Sequence, residues 1–216
     1  MIKADHKRYA RMIFDFYINR LMKKNFSHFF LDGEIPKIDS SFPLVVTPNH
    51  ISWWDGFFID FINRKYFKRK FHILMLEEQL KKYSFFKNLG AFGFNPNSAS
   101  DIIEVKKYIS EILEDKNSLL IVYPQGVIEP FEKKPLTIKE GIKIFLNNKK
   151  FILLPIAFKI QHLDEKNPAL FIRAAEPIIC NNGIENFDNY SYSFTKNIDS
   201  LNETVINKSS VNPIYL

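Results

Sequence analysis

Strand-sized apolar runs alternate along this chain with segments of helical period, and that alternation restricts the fold more than any other feature. Leu44–Thr47, Phe71–Leu76, Leu119–Tyr123, Ile152–Phe158 and Ala169–Ala174 are bounded apolar runs of the kind that form buried strands. Between them, Trp54–Arg64, Glu77–Leu89, Ser100–Asp115 and Ile138–Leu146 read as helices. Gly90 follows one of these helices, where a left-handed residue closes it cheaply. Ala91–Phe94 reads as a short strand. Such alternation predicts an α/β fold with a mostly parallel central sheet flanked by helices. Ahead of it, residues 6–30 read as an amphipathic helix. Tyr9, Met12, Ile13, Phe16, Tyr17, Leu21 and Met22 recur there at spacings of three and four. The expected division is a helix at 1–30 and an α/β domain at 31–216. From about Asn181 the chain is rich in Asn and Ser, and its periodicity is weak.

Charge points to an anionic partner. Residues 1–30 hold seven bases and two acids, nearly the whole net charge of +6. Aromatics with Lys and Arg on one helix suit either an interfacial helix on anionic lipid or a helix docked on the protein's own core. A second basic cluster, Arg64, Lys65, Lys68, Arg69 and Lys70, interleaves with Tyr66, Phe67 and Phe71. No nucleic-acid recognition motif accompanies it, so nucleic acid is not an expected partner. No run reaches the roughly 18 apolar residues of a spanning helix, and the N-terminus lacks a signal-peptide core. A single cysteine, Cys180, excludes an internal disulfide framework and a cysteine-rich zinc site, and it fits a reducing compartment. The expected location is therefore cytoplasmic, peripheral on the inner face of the membrane.

The segment Thr47-Pro-Asn-His-Ile-Ser-Trp-Trp-Asp-Gly56 follows a buried strand and precedes a helix, the place where open α/β sheets put ligand chemistry. His50 is the one histidine with Asp five residues on, and Asp55 in the first helical turn points back toward it. Imidazole is the natural base near neutral pH, and a carboxylate on its other nitrogen fixes the tautomer. Ser52-x-x-Asp55 also reads as a capping-box variant, a purely structural use of the same residues. Cys180 competes poorly as a nucleophile, with no histidine near it in sequence.

Asn49-His50-(four residues)-Asp55 resembles the first block of the glycerolipid and lysophospholipid acyltransferase family. The stretch from Met75-Leu-Glu-Glu-Gln-Leu80 through Phe85 to Gly90-Ala91-Phe92 resembles the approach to the second block. Tyr123-Pro124-Gln125-Gly126 is similar to F-P-E-G, Ile138-Lys139-Glu140-Gly141 to F-K-x-G, and Leu154-Pro155-Ile156-Ala157 to V-P-V-A. The resemblance spans about residues 31–180. It implies transfer of a fatty acyl group from acyl-CoA or acyl-ACP, as co-substrate, to a hydroxyl of a lipid-like acceptor. No bound cofactor or metal and no covalent acyl-enzyme are implied. It assigns His50 as base and Asp55 as its orienting partner. For substrate binding it points to Asn49, Gly90, Tyr123, Pro124, Gln125, Gly126, Lys134 and Lys139. A non-catalytic lipid-binding relative of the same fold is the alternative.

The chain departs from that pattern where the acceptor is held. The family's second block places Arg six residues after its Gly, and here that position is Pro96. F-P-E-G-T-R becomes Tyr123-Pro-Gln-Gly-Val-Ile128, so Gln125 replaces Glu and Ile128 replaces Arg. Guanidinium forks bind phosphate oxygens in pairs, so losing both points to an acceptor without a phosphomonoester, unless Lys133 or Lys134 substitutes.

Overall fold

The computed structural model describes residues 1–215. Its centre is a nine-stranded sheet of β1 (Phe29–Leu31), β2 (Leu44–Pro48), β3 (Lys70–Leu76), β4 (Ala91–Phe94), β5 (Ser118–Ile121), β6 (Phe151–Gln161), β7 (Ala169–Ala174), β8 (Ile178–Cys180) and β9 (Asn212–Pro213). The order is β4-β3-β5-β2-β6-β7-β1-β9, with β8 on β6. From β4 through β6 all neighbours are parallel. β7 and β8 run antiparallel to β6, β1 is parallel to β7, and β9 is antiparallel to β1. The mostly parallel α/β architecture is the one the alternation predicts.

Both faces of the sheet are covered, which explains why its central strands read as unbroken apolar runs. Side chains alternate across a strand. Leu44 and Val46 of β2, Leu119 and Ile121 of β5, and Ile152 and Leu154 of β6 pack under α1 (Arg8–Asn25) and α2 (Asp55–Ile62). Val45, Leu120 and Leu153 face the opposite core, built with α4 (Ala99–Ile112), α5 (Gly141–Phe145) and α6 (Phe187–Ile206). A short α3 (Glu77–Lys82) connects β3 toward β4.

Several elements differ from the sequence reading, each for a local reason. The first helix ends at Asn25 rather than residue 30, because Phe26 is extended and Phe29–Leu31 is captured by β7. Its docked face is Ala10, Phe14, Ile18 and Met22, while Tyr9, Met12, Ile13, Phe16 and Tyr17 remain exposed. The helix is thus apolar on two sides. Arg11 fixes its rotation with a paired contact to the buried Asp60 of α2, both nitrogens at 2.6 Å, and Arg64 adds a third donor at 3.1 Å. Removing one partner of such a pair typically costs about 3–5 kcal/mol. The helix expected over Trp54–Arg64 tightens into α2 and passes into a π-helical turn at Asn63–Phe67. That expected over Glu77–Leu89 breaks at Tyr83 into a 3-10 turn at Ser84–Leu89. The Ile138–Leu146 helix starts only at Gly141, because the Lys139 N–H is tied to the Pro124 carbonyl at 2.9 Å. The Asn-rich end forms a helix of 20 residues, α6, capped by the Asn186 side chain. Its composition disfavours a helix, but burial of Tyr190, Phe194, Ile198 and Leu201 overrides propensity.

His72 lies buried in β3 with no partner for either ring nitrogen among the described residues. Burial, with His6 and Lys70 adding repulsion, pushes its pKa down to about 3. The unfolded chain binds this proton near the ordinary 6.5 and the folded chain does not. Stability tied to His72 is therefore complete above that value and lost progressively as pH falls below it. Between about pH 7 and pH 5, His72→Leu is expected to lose roughly 2 kcal/mol less stability than the wild type. Urea unfolding at both pH values measures this, and equal losses would show that His72 accepts its proton in the folded state.

Candidate active site

The parallel registration of β2 with β5 and β6 brings the loops after these strands to one end of the sheet. The loop after β2 carries His50, and the loop after β5 carries Tyr123 to Gly126. In the β2 loop, Asp55 is fully buried at the first position of α2, and its Oδ2 lies 2.9 Å from His50 Nδ1. The same oxygen accepts from the Ile51 and Ser52 amides at 2.8 and 2.9 Å, and Oδ1 accepts from the Ser52 hydroxyl at 2.7 Å. Every contact is a donor, and the helix N-terminus adds its own positive end, so the surroundings of Asp55 are those of a hydrogen-bond acceptor. An acceptor at Nδ1 places the single hydrogen of a neutral imidazole there, which leaves the Nε2 lone pair free. Ser52 accepts from the Trp54 amide at 3.1 Å rather than capping the helix itself. The capping-box reading and the His–Asp reading therefore describe one turn.

The imidazole lines a groove of about 900 Å³. Its size is that of a small-molecule site, and its walls are largely apolar, with Phe57, Ile73 and Phe86 among them. Tyr123 stacks on the imidazole with ring centres 4.0 Å apart. Burial, reinforced by the Asp55 charge, raises the Tyr123 phenol well above its ordinary value, so it stays neutral. Pro124, Gly126 and Lys139 also line the groove. Gly126 has φ +71°, and a Cβ there would come within 3.1 Å of Lys139 Nζ, so the lysine amine lies directly over this glycine. Pro96 and Ile128, at the positions of the two absent arginines, both face the groove and leave it apolar there.

Other expected residues stand elsewhere. Asn49 faces away from the groove. It donates to the Phe158 carbonyl at 2.9 Å and accepts from the Phe158 amide at 2.7 Å, a buried clamp between the β2 loop and β6. Gly90 is not in the groove wall. It closes the 3-10 turn at φ +111°, where a Cβ would sit 2.0 Å from the Phe71 carbonyl. Lys134 is ion-paired with Asp199 of α6, because the loop runs outward beyond Glu129. Lys133 pairs with Glu129. Gln125 is buried behind the imidazole, and its Oε1 accepts from the His50 amide at 2.5 Å. Sequence reasoning missed Glu129, whose Oε2 accepts from Gln125 Nε2 at 3.0 Å and whose amide donates to the His50 carbonyl at 2.8 Å. The spacing of four from Gln125 to Glu129 to Lys133 was its only signal, and a loop gives that spacing no meaning.

Comparison with known proteins bears on the family and the fold. A family model described as Acyltransferase matches residues 34–159. Among curated proteins no significant match is found. Among solved structures the chain is similar to the 1-acyl-sn-glycerophosphate (LPA) acyltransferase PlsC from Thermotoga maritima. The TM-score is 0.59 at 20% identity, covering 90% of this chain and 78% of that one. That likeness is one of fold.

Asp55→Ala strands the His50 ring N–H and two loop amides without an acceptor. It is expected to destabilise the fold by roughly 3 kcal/mol, read from urea unfolding. An unchanged midpoint would mean that the carboxylate does not organise the turn.

Proposed function

The chain belongs to the acyltransferase family, and we propose that it moves a fatty acyl group from acyl-CoA or acyl-ACP to a hydroxyl of a lipid-like acceptor. The observation that carries this reading is the His50–Asp55 contact at the wall of a largely apolar groove. His50 Nε2 takes the acceptor proton as the oxygen attacks the thioester carbonyl. The C–O bond forms, the C–S bond breaks, and the imidazolium returns the proton to the departing thiolate. Asp55 orients the ring and stabilises its positive charge in between. Because the thioester is already activated, the protein mainly positions the two substrates and handles one proton.

The groove also bears on the acceptor. Apolar Pro96 and Ile128 favour a hydroxyl lipid without a phosphomonoester. Arg11 lines the groove but is engaged by Asp60 and Asp15, so Lys139 is the cation left to meet an anionic group. The exposed Tyr9, Met12, Ile13, Phe16 and Tyr17, flanked by Arg8, Arg20, Lys23 and Lys24, support docking of α1 on anionic lipid. Trp53, which is 49% exposed, lines the groove beside that helix and gives a lipid acceptor a short path in. Among the described residues no helix is long and apolar enough to cross a membrane. Peripheral attachment at the inner face follows as part of the same proposal.

Labelled acyl-CoA and, in parallel, labelled acyl-ACP, each incubated with a total lipid extract and with products identified by mass, test the activity. His50→Ala is expected to lower transfer about 10²–10⁴-fold. Wild-type-like transfer by this variant would remove the base, and no transfer by the wild type from either donor would favour a non-catalytic lipid binder. A purified acceptor panel completes the test: strong preference for lysophosphatidate over acceptors without a phosphomonoester would overturn the acceptor assignment. For the membrane, Met12→Ser with Phe16→Ser is expected to reduce flotation on vesicles containing phosphatidylserine. Undiminished flotation would place the contact elsewhere.

A further inference from the structure

Both backbone polar groups of His50 are held by one short segment. The amide donates to Gln125 Oε1, and the carbonyl accepts from the Glu129 amide. The two side chains of that segment continue as a buried chain. Gln125 Nε2 donates to Glu129 Oε2, and Glu129 Oε1 accepts from Lys133. Gln125 is 1% exposed and Glu129 5% exposed, so water does not readily replace a mismatched partner.

A carboxamide has one accepting and one donating end, and nothing in its shape selects between them. The selection must come from a neighbour. A carboxylate at Glu129 only accepts, so it draws Nε2 toward itself and turns Oε1 to the His50 amide. Hydrogen bonds from Gln125 and Lys133 hold the Glu129 carboxyl down at about 2, so it stays an acceptor at any pH of activity.

We propose that Glu129 is a positioning residue for the His50 base, acting through the polarity it imposes on Gln125. The proposal rests on the acyl-transfer reading for its kinetic consequence alone, since its structural content concerns the His50 amide.

Exchange of the two residues tests this directly. Glu129→Gln places two carboxamides between two donors, the His50 amide and the Lys133 amine. Whichever way they turn, one donor meets a donor unless the Lys133 amine, which is 44% exposed, turns to water, so Gln at 129 no longer fixes which end of Gln125 faces the His50 amide. Gln125→Glu sets two carboxylates against each other. The double exchange, Gln125→Glu with Glu129→Gln, restores every bond: Glu at 125 accepts from the His50 amide and from Gln at 129, whose carbonyl accepts from Lys133. Each single variant is expected to lower kcat on the order of tenfold with KM for acyl-CoA little changed. The double variant is expected to recover most of the loss.

The His50 amide proton, followed by ¹H–¹⁵N NMR without turnover, is expected well downfield in the wild type, upfield in Glu129→Gln and downfield again in the double variant. This signature separates failure of the positioning role from failure of the transferase reading. Losses that add in the double variant, or a Glu129→Gln variant with wild-type kcat and an unmoved amide resonance, would overturn the proposal. If Gln125→Glu does not fold, recovery of folding by the double exchange supports it and continued misfolding contradicts it.

Discussion

Asp55 has no solvent exposure, and an ionised carboxylate in that position costs several kcal/mol unless its lone pairs are met. The rest of the site follows from meeting them. Two loop amides, one hydroxyl and one imidazole converge on it within 2.7–2.9 Å. That demand bends the chain between β2 and α2 into a single conformation and fixes the His50 tautomer. The groups that make burial of the charge tolerable also hold the imidazole.

The sheet supplies the second half of the arrangement. β2 lies between β5 and β6, all three parallel, so adjacent strands end at the same edge and their loops meet. The β2 loop brings the imidazole, and the β5 loop brings a tyrosine ring beneath it and a carboxamide behind it. Antiparallel strands would have put these loops at opposite ends. The edge formed by β3 and β4 contributes walls rather than functional groups, with Ile73, Met75, Ala91 and Phe94 facing the groove.

The parallel core was legible in the sequence because a strand covered on both faces must be apolar throughout, as Leu44–Val46 and Leu119–Ile121 are. The His50–Asp55 contact was legible because five residues across a strand-to-helix turn leave few other geometries. What lay outside local pattern was not. The weak helix formers of α6 concealed a helix held by packing against β6 and β7, and no window of sequence carries that packing. The first helix offered more apolar residues than one face can bury, so periodicity could not say that Phe14 and Ile18 dock while Phe16 and Tyr17 face outward. Lys134, near the third block, and Lys139, in the block after it, both looked like substrate-binding bases. Only the path of the loop sends one to Asp199 and folds the other over Gly126. Gln125 looked like the loss of a carboxylate, and the structure keeps a buried carboxylate one hydrogen bond further from His50, at Glu129.

The central claim is that the His50 imidazole takes a proton from an alcohol that then attacks a thioester carbonyl held beside it. A crystal structure with an unreactive thioether analogue of acyl-CoA examines this most directly. The account predicts a fatty tail between Phe57, Ile73 and Phe86, with the carbonyl-equivalent carbon next to Nε2 and room there for an alcohol oxygen. A tail bound on another surface, or a reacting carbon out of reach of that nitrogen, would contradict it.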